Sequence, residues 1–154
     1  MEKLVKELLD KKKTIATMES CTGGGIANAI TNIAGVSDIL QFSAVTYSND
    51  FKIKMGVSKD VIDKYSVYSM ETANEMSKAI SMFAGSDFGI GVTGKLNRAD
   101  KNNLAGADNI VFISIYSKEN DTFYNYEWTA VRKERKENKE DIIELIEEKM
   151  LEIL

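Results

Sequence analysis

The run FGIGVTG, residues 88–94, contains no charged residue. A strand wetted on one face alternates apolar and polar positions. This one does not, so it reads as a strand buried on both faces. Such a strand needs cover above and below, and its glycines mark close approach of another backbone. TIATM, 14–18, and FSAVTYS, 42–48, read as two further strands. Helical segments lie between them. Leu4, Val5, Leu8 and Leu9 define a helix over 2–11, and IANAITNIA, 26–34, ends at Gly35. Asn49 is expected to cap a short helix through DFKIKM, and Ser58 another over 58–65. Ser69 opens a longer helix that stops at Gly85, and its stripe Met70, Ala73, Met76, Ile80 and Phe83 reads as core packing. Strand, helix, strand, helices, strand is the order of an α/β fold, a parallel or mixed sheet covered by helices on both faces. NIVFISIYS and TFYNYEWTA flank the turn KEND as an antiparallel hairpin. Its Phe123, Tyr124, Tyr126 and Trp128 either close over the core or form an interface. Residues 134–153 read as a charged helix with Ile142, Ile143, Leu145, Ile146 and Leu151 inside.

The 154 residues fit one domain, 1–154. A net charge of −4 argues against nucleic acid as a partner. No apolar run reaches the length of a membrane span, and the charged N-terminus has no signal-peptide pattern. The cytoplasm is the expected compartment. There is no histidine and only one cysteine. That composition excludes Ser-His-Asp and Cys-His catalysis and a His/Cys zinc site within one chain. No carboxylate cluster suggests a harder metal, so neither metal nor cofactor is expected.

Three stretches remain for chemistry. ESCTGGG, 19–25, follows the first strand and sets Ser20, Cys21 and Thr22 before three glycines. Any of the three side chains is a candidate nucleophile. Backbone N–H groups of such a turn suit a phosphate or an oxyanion. The bland alternative is a tight turn with Thr22 as helix N-cap. VTYSNDFK, 45–52, brings Tyr47, Asn49 and Lys52 to a strand end. A desolvated lysine near a serine can replace histidine as base, with Tyr47 orienting it or passing a proton. Lys54 is expected to point into solvent. GVTGKLNRAD puts Thr93 and Gly94 at the end of the buried strand, with Lys95 and Arg98 placed to meet an anion.

ESCTGG followed by VTYSNDFK, with MGVS, VYSMETANEMSKA and GIGVTG in order behind them, resembles the C-terminal domain of the competence/damage-inducible protein CinA, which also exists as a stand-alone nicotinamide-nucleotide amidohydrolase. The resemblance implies a three-layer α/β/α sandwich with a mostly parallel sheet, in a homo-oligomer. It implies hydrolysis of nicotinamide mononucleotide, a small-molecule nucleotide, to nicotinate mononucleotide and ammonia. By motif, Ser20 corresponds to the nucleophile, Lys52 to the base, Tyr47 to the assisting hydroxyl and Thr93 to a substrate-side threonine. Cys21, Thr22, Gly23, Gly24, Asn49, Gly94 and Arg98 join the expected substrate-binding set. The family's Gly/Pro-rich turn after VTG is replaced here by KLNRADKNNLAGAD, 95–108, and Ser66 and Tyr68 replace smaller residues. The alternatives are an amidase for a different substrate, or a non-catalytic nucleotide- or partner-binding module.

Overall fold

The computed structural model describes all of residues 1–154. Helix α1 (Glu2–Lys11) leads into β1 (Ile15–Glu19), α2 (Gly25–Thr31), a single 3₁₀ turn and β2 (Leu40–Val45). Then come α3 (Asn49–Lys54), α4 (Lys59–Tyr65), α5 (Met70–Ala84) and β3 (Phe88–Gly94). The hairpin β4 (Ile110–Ser117) and β5 (Thr122–Thr129) precedes α6 (Arg135–Ile153). One five-stranded sheet runs in the order β2-β1-β3-β4-β5.

Every residue of β1 and of β3 is buried, as the uncharged runs 15–18 and 88–94 require, and Glu19 at the end of β1 is buried with them. Cover on one face comes from α1, α2 and α6, through Leu4, Leu8, Ile26, Ile30, Ile142 and Ile146 packed on Ile15, Ile90 and Ile113. On the other face α4 and α5 bring Ile62, Met76 and Ile80 against Ala16 and Met18. Glycine in β3 has a steric cause. A Cβ at Gly91 would lie 2.4 Å from the Ala73 carbonyl oxygen, and one at Gly89 1.9 Å from that of Ser77. Helix α5 therefore rests its backbone directly on the strand.

The sheet is less parallel than expected. β1 pairs in parallel with β2 and β3, but β3 with β4 and β4 with β5 are antiparallel. A parallel β3–β4 pair would need a crossover, usually a helix. The chain between them is the polar loop 95–109, which turns straight back.

Several local readings shift. β2 stops at Val45, so Tyr47 lies beyond the strand. The cap of α3 is Ser48, whose hydroxyl accepts the Phe51 N–H at 3.3 Å, and Asn49 is the first helical residue. Gly24, with φ of 90°, takes the N-cap position of α2 in place of Thr22. That helix ends at Thr31, short of residue 34. In α5, Ala73, Met76 and Ile80 are buried, but Phe83 is 63% exposed and rests on Phe42 of the edge strand. In α6 the fully buried apolar positions are Ile142, Ile146 and Met150, with Ile143, Leu145 and Leu151 flanking them. Tyr124, Tyr126 and Trp128 pack half-buried on the core, while Phe123 lies beside Tyr116 at 5.1 Å. No helix is long and apolar enough to cross a membrane.

Candidate active site

Because β1, β2 and β3 are mutually parallel, their carboxyl ends gather at one edge of the sheet, where open α/β sheets bind ligands. Main-chain bonds continue just past the strands. Ser20 N–H donates to the Val92 carbonyl at 3.0 Å, and Thr46 N–H to the Glu19 carbonyl at 2.9 Å. Ser20 is thereby held by the sheet itself. The Ser48 cap starts α3 so that Lys52, one turn in, turns back toward the sheet edge. Its ammonium donates to the Thr46 carbonyl at 2.6 Å and meets the Ser20 hydroxyl at 3.2 Å.

Lys52 is 1% exposed and has no carboxylate in ion-pair contact. Burial disfavours its charged form and lowers its pKa to about 8, against weaker opposing effects from Cys21 and Asp100. Burial also pushes the Cys21 thiol up to about 12, so it stays protonated near neutrality. The field of Arg135 on that thiol exceeds those of Lys52 and Lys139. Of the three candidate nucleophiles, only Ser20 meets a base. The Thr22 hydroxyl is buried without a partner.

Glu19 shapes the turn. Strand alternation places it on the α2 side of the sheet, with Ile15 and Thr17. Its wholly buried carboxylate accepts the N–H groups of Gly24, Ile26 and Ala27 at 3.0, 3.1 and 2.9 Å. An anion already occupies the α2 N-terminus, as the helix dipole favours. Gly23 N–H turns to the Ser20 carbonyl, and Gly25 N–H to that of Thr22. The N–H groups of Cys21 and Thr22 donate to no protein acceptor, and of the two residues Cys21 lines the cleft, where its N–H is free for an oxyanion. Glu19→Ala should strip three helix N–H groups of their acceptor and destabilise the fold by about 3 kcal/mol or more, read by chemical denaturation.

A cleft of about 610 Å³ opens over Ser20. Its wall includes Cys21, Tyr47, Asn49, Lys52, Gly94 and Arg98 from the expected set. Thr22, Gly23, Gly24 and Thr93 lie outside the wall. Gly24 is committed to Glu19, and Gly23 faces the Lys139 ammonium. The Thr93 hydroxyl donates to the Val67 carbonyl at 2.9 Å and is wholly buried, a tie between β3 and the segment before α5. Gly94 is required by space: a Cβ there would lie 2.5 Å from the Ile110 carbonyl oxygen. Tyr47 stands on the rim, 67% exposed, and bonds neither Lys52 nor Ser20.

The remaining wall comes from residues that sequence reasoning did not join. The Tyr68 hydroxyl donates to Asp100 at 2.5 Å. Asp100 also accepts from Asn103 and from the Asn102 N–H, and Asn49 donates to Asn103 at 3.0 Å. These bonds, led by that of Tyr68, hold the Asp100 carboxyl below its usual range. Burial and the adjacent carboxylate push the Tyr68 phenol upward. Tyr68 and the loop 95–108 are thus tied at two ends of one hydrogen bond. Tyr68→Phe should release the loop and raise KM severalfold, with faster amide exchange confined to 96–108 as the structural readout. Arg135, at the start of α6, donates to the Leu96 carbonyl at 3.2 Å and also lines the cleft. Its position inside the run RKERKENK gave no sign of this.

Known proteins share this fold. The profile of the CinA C-terminal domain matches residues 1–152. The chain is 45% identical over 96 residues to a CinA-like protein of Kosmotoga olearia, covering 61% of this chain and 23% of that one. The matched segment is thus about a quarter of the relative's length. The crystal structure of the competence/damage inducible protein CihA from Agrobacterium tumefaciens superposes with a TM-score of 0.86 at 25% identity, over 97% of this chain and 90% of that one. A competence or damage-inducible protein from Enterobacter asburiae gives 0.89 at 19% identity, over 99% and 94%. With a profile match over nearly its whole length and the same fold in both structures, the chain belongs to the CinA C-terminal domain family.

Proposed function

We propose that the protein is an amidohydrolase that removes the carboxamide nitrogen of nicotinamide mononucleotide, giving nicotinate mononucleotide and ammonia. The observation that supports this most is the contact of Lys52 with Ser20 in a site with no histidine. Neutral Lys52 takes the Ser20 hydroxyl proton while one of its own N–H groups stays on the Thr46 carbonyl. Ser20 Oγ attacks the amide carbon. The N–H of Cys21, on the cleft wall and without a protein acceptor, receives the oxyanion. The C–N bond breaks, and the amine leaves as ammonia with the proton held by Lys52. Water, deprotonated by Lys52, then attacks the acyl group, and Ser20 recovers its proton. Tyr47, on the rim, contacts the substrate rather than the dyad.

At pH 7 a lysine of pKa about 8 is neutral in roughly one molecule in ten, enough to act as base while its conjugate acid protonates the leaving amine. Incubation with nicotinamide mononucleotide should release ammonia and nicotinate mononucleotide in equal amounts. Nucleotide binding without ammonia would overturn this reading in favour of a binding module.

A further inference from the structure

On taking the Ser20 proton, Lys52 becomes an almost wholly buried ammonium whose bonded partners are one carbonyl and one hydroxyl. Such a charge is costly unless an anion stands near it. Its own helix supplies Asp50, exposed at the cleft, and Lys54, which turns to the Phe51 ring. The turn after β1 brings Cys21, the chain after β2 brings Tyr47, and the segment before α5 brings Tyr68. From the loop 95–108 come Lys95, Arg98 and Asp100, and from α6 Arg135. Glu19 is spent on the α2 side, on three helix N–H groups. Burial lowers the Lys52 pKa, and Cys21 and Asp100 oppose it. Cys21 opposes it only as a thiolate, and burial keeps that thiol protonated near neutrality. The Asp100 carboxylate is the anion that remains.

Hydrogen bonds hold that carboxylate in place. Its Oδ2 accepts the Tyr68 hydroxyl at 2.5 Å and Asn103 Nδ2 at 2.9 Å, and its Oδ1 accepts the Asn102 N–H at 2.9 Å. Asn103 in turn accepts Asn49 Nδ2 at 3.0 Å. Asn49 opens α3 three residues before Lys52, and residues so spaced share one face of a helix. The chain Tyr68–Asp100–Asn103–Asn49 therefore straps the loop across the cleft, from the segment before α5 to the helix that carries the base. We infer that Asp100 is a positioning residue for the reaction: strapped over the cleft by Tyr68 and Asn103, its carboxylate is the counter-charge that steadies Lys52 as it takes and returns the Ser20 proton. This assignment rests on reading Ser20 and Lys52 as the amide-hydrolysing pair, and it adds a third member from the loop. Asp50 is a poor substitute, because water screens its exposed charge.

The titration of Lys52 tests this, because charge and mere structure move it in opposite directions. Loss of the counter-charge leaves Lys95, Arg98 and Arg135 facing the lysine and lowers its midpoint. Loss of loop order alone admits water, relieves burial and raises it. D100N keeps an oxygen for the Tyr68 hydroxyl and removes the charge. Asp100 belongs to neither apolar core, so the variant should fold. D60N, which neutralises an exposed carboxylate on α4, controls for general charge. The ¹³Cε signal of Lys52, assigned by its absence from Lys52→Met, is followed against pH in lysine-labelled wild type, D100N and D60N. The midpoint should fall by about half a pH unit or more in D100N and stay at the wild-type value in D60N. The midpoint of the kcat profile for nicotinamide mononucleotide should fall with it. A midpoint in D100N equal to or above that of the wild type overturns the role of Asp100. Absence of ammonia release from the wild type overturns the amidohydrolase reading, and the lysine titration, which needs no substrate, still decides whether Asp100 is the counter-charge.

Discussion

Ser20→Ala is expected to abolish ammonia release from nicotinamide mononucleotide, lowering kcat by about 10⁴-fold or more, while Cys21→Ala should keep turnover close to wild type. Loss of a nucleophile that works with a base as one unit removes nearly all chemical acceleration and leaves only binding and oxyanion stabilisation. The contrast follows from geometry. Ser20 Oγ meets the Lys52 nitrogen at 3.2 Å. Cys21 shares the turn, but burial keeps its thiol protonated. Both variants should fold. Ser20 is held through its main chain, by the bond from its N–H to the Val92 carbonyl, which alanine keeps. Single-turnover kinetics on purified, folded variants checks the pair. Near-normal turnover in Ser20→Ala would remove the serine from the mechanism.

Lys52→Met should give the second large effect, with kcat reduced by about 10³-fold and KM little changed. Wild-type kcat should rise with pH through a midpoint near 8, because the neutral amine is the reactive form. The same lysine links activity to stability. Its folded pKa of about 8 lies below its unfolded value of 10.5, so the unfolded chain binds more protons between those limits. Stability from this group is therefore present in full above pH 10.5 and is lost as pH falls through 8. Relative to Lys52→Met, the wild type should gain about 3 kcal/mol between pH 7 and pH 10.5. Groups common to both proteins cancel in that difference, which denaturant titrations at the two pH values measure. A constant difference would mean that Lys52 is not desolvated.

Nearly all of the sheet could be read in advance because two-sided burial leaves a plain mark. FGIGVTG and TIATM have no charged position to turn outward, and Gly89 and Gly91 are needed where α5 rests on β3. The hairpin was equally clear, from two runs around KEND. The direction of β4 relative to β3 was not, because it depends on whether the intervening loop crosses the sheet, and composition does not say.

At the site, residue types and their order were enough to restrict the chemistry. With no histidine and one cysteine, a lysine was the remaining simple base for a serine, and VTYSNDFK named it. Distances decided what each neighbour does. Thr93 turned to the Val67 carbonyl, and Gly24 to Glu19, because the direction of a side chain or an N–H depends on strand parity and on what packs opposite. Glu19 looked like the start of a motif, and burial made it the cap of α2. Tyr68 with Asp100, and Leu96 with Arg135, are 32 and 39 positions apart, with no periodicity linking them. Local pattern can show which residues must be buried. Only the folded chain, by bringing distant polar groups within hydrogen-bond distance of one another, selects their partners, and so sets Lys52 against Ser20 and Asp100 against Tyr68.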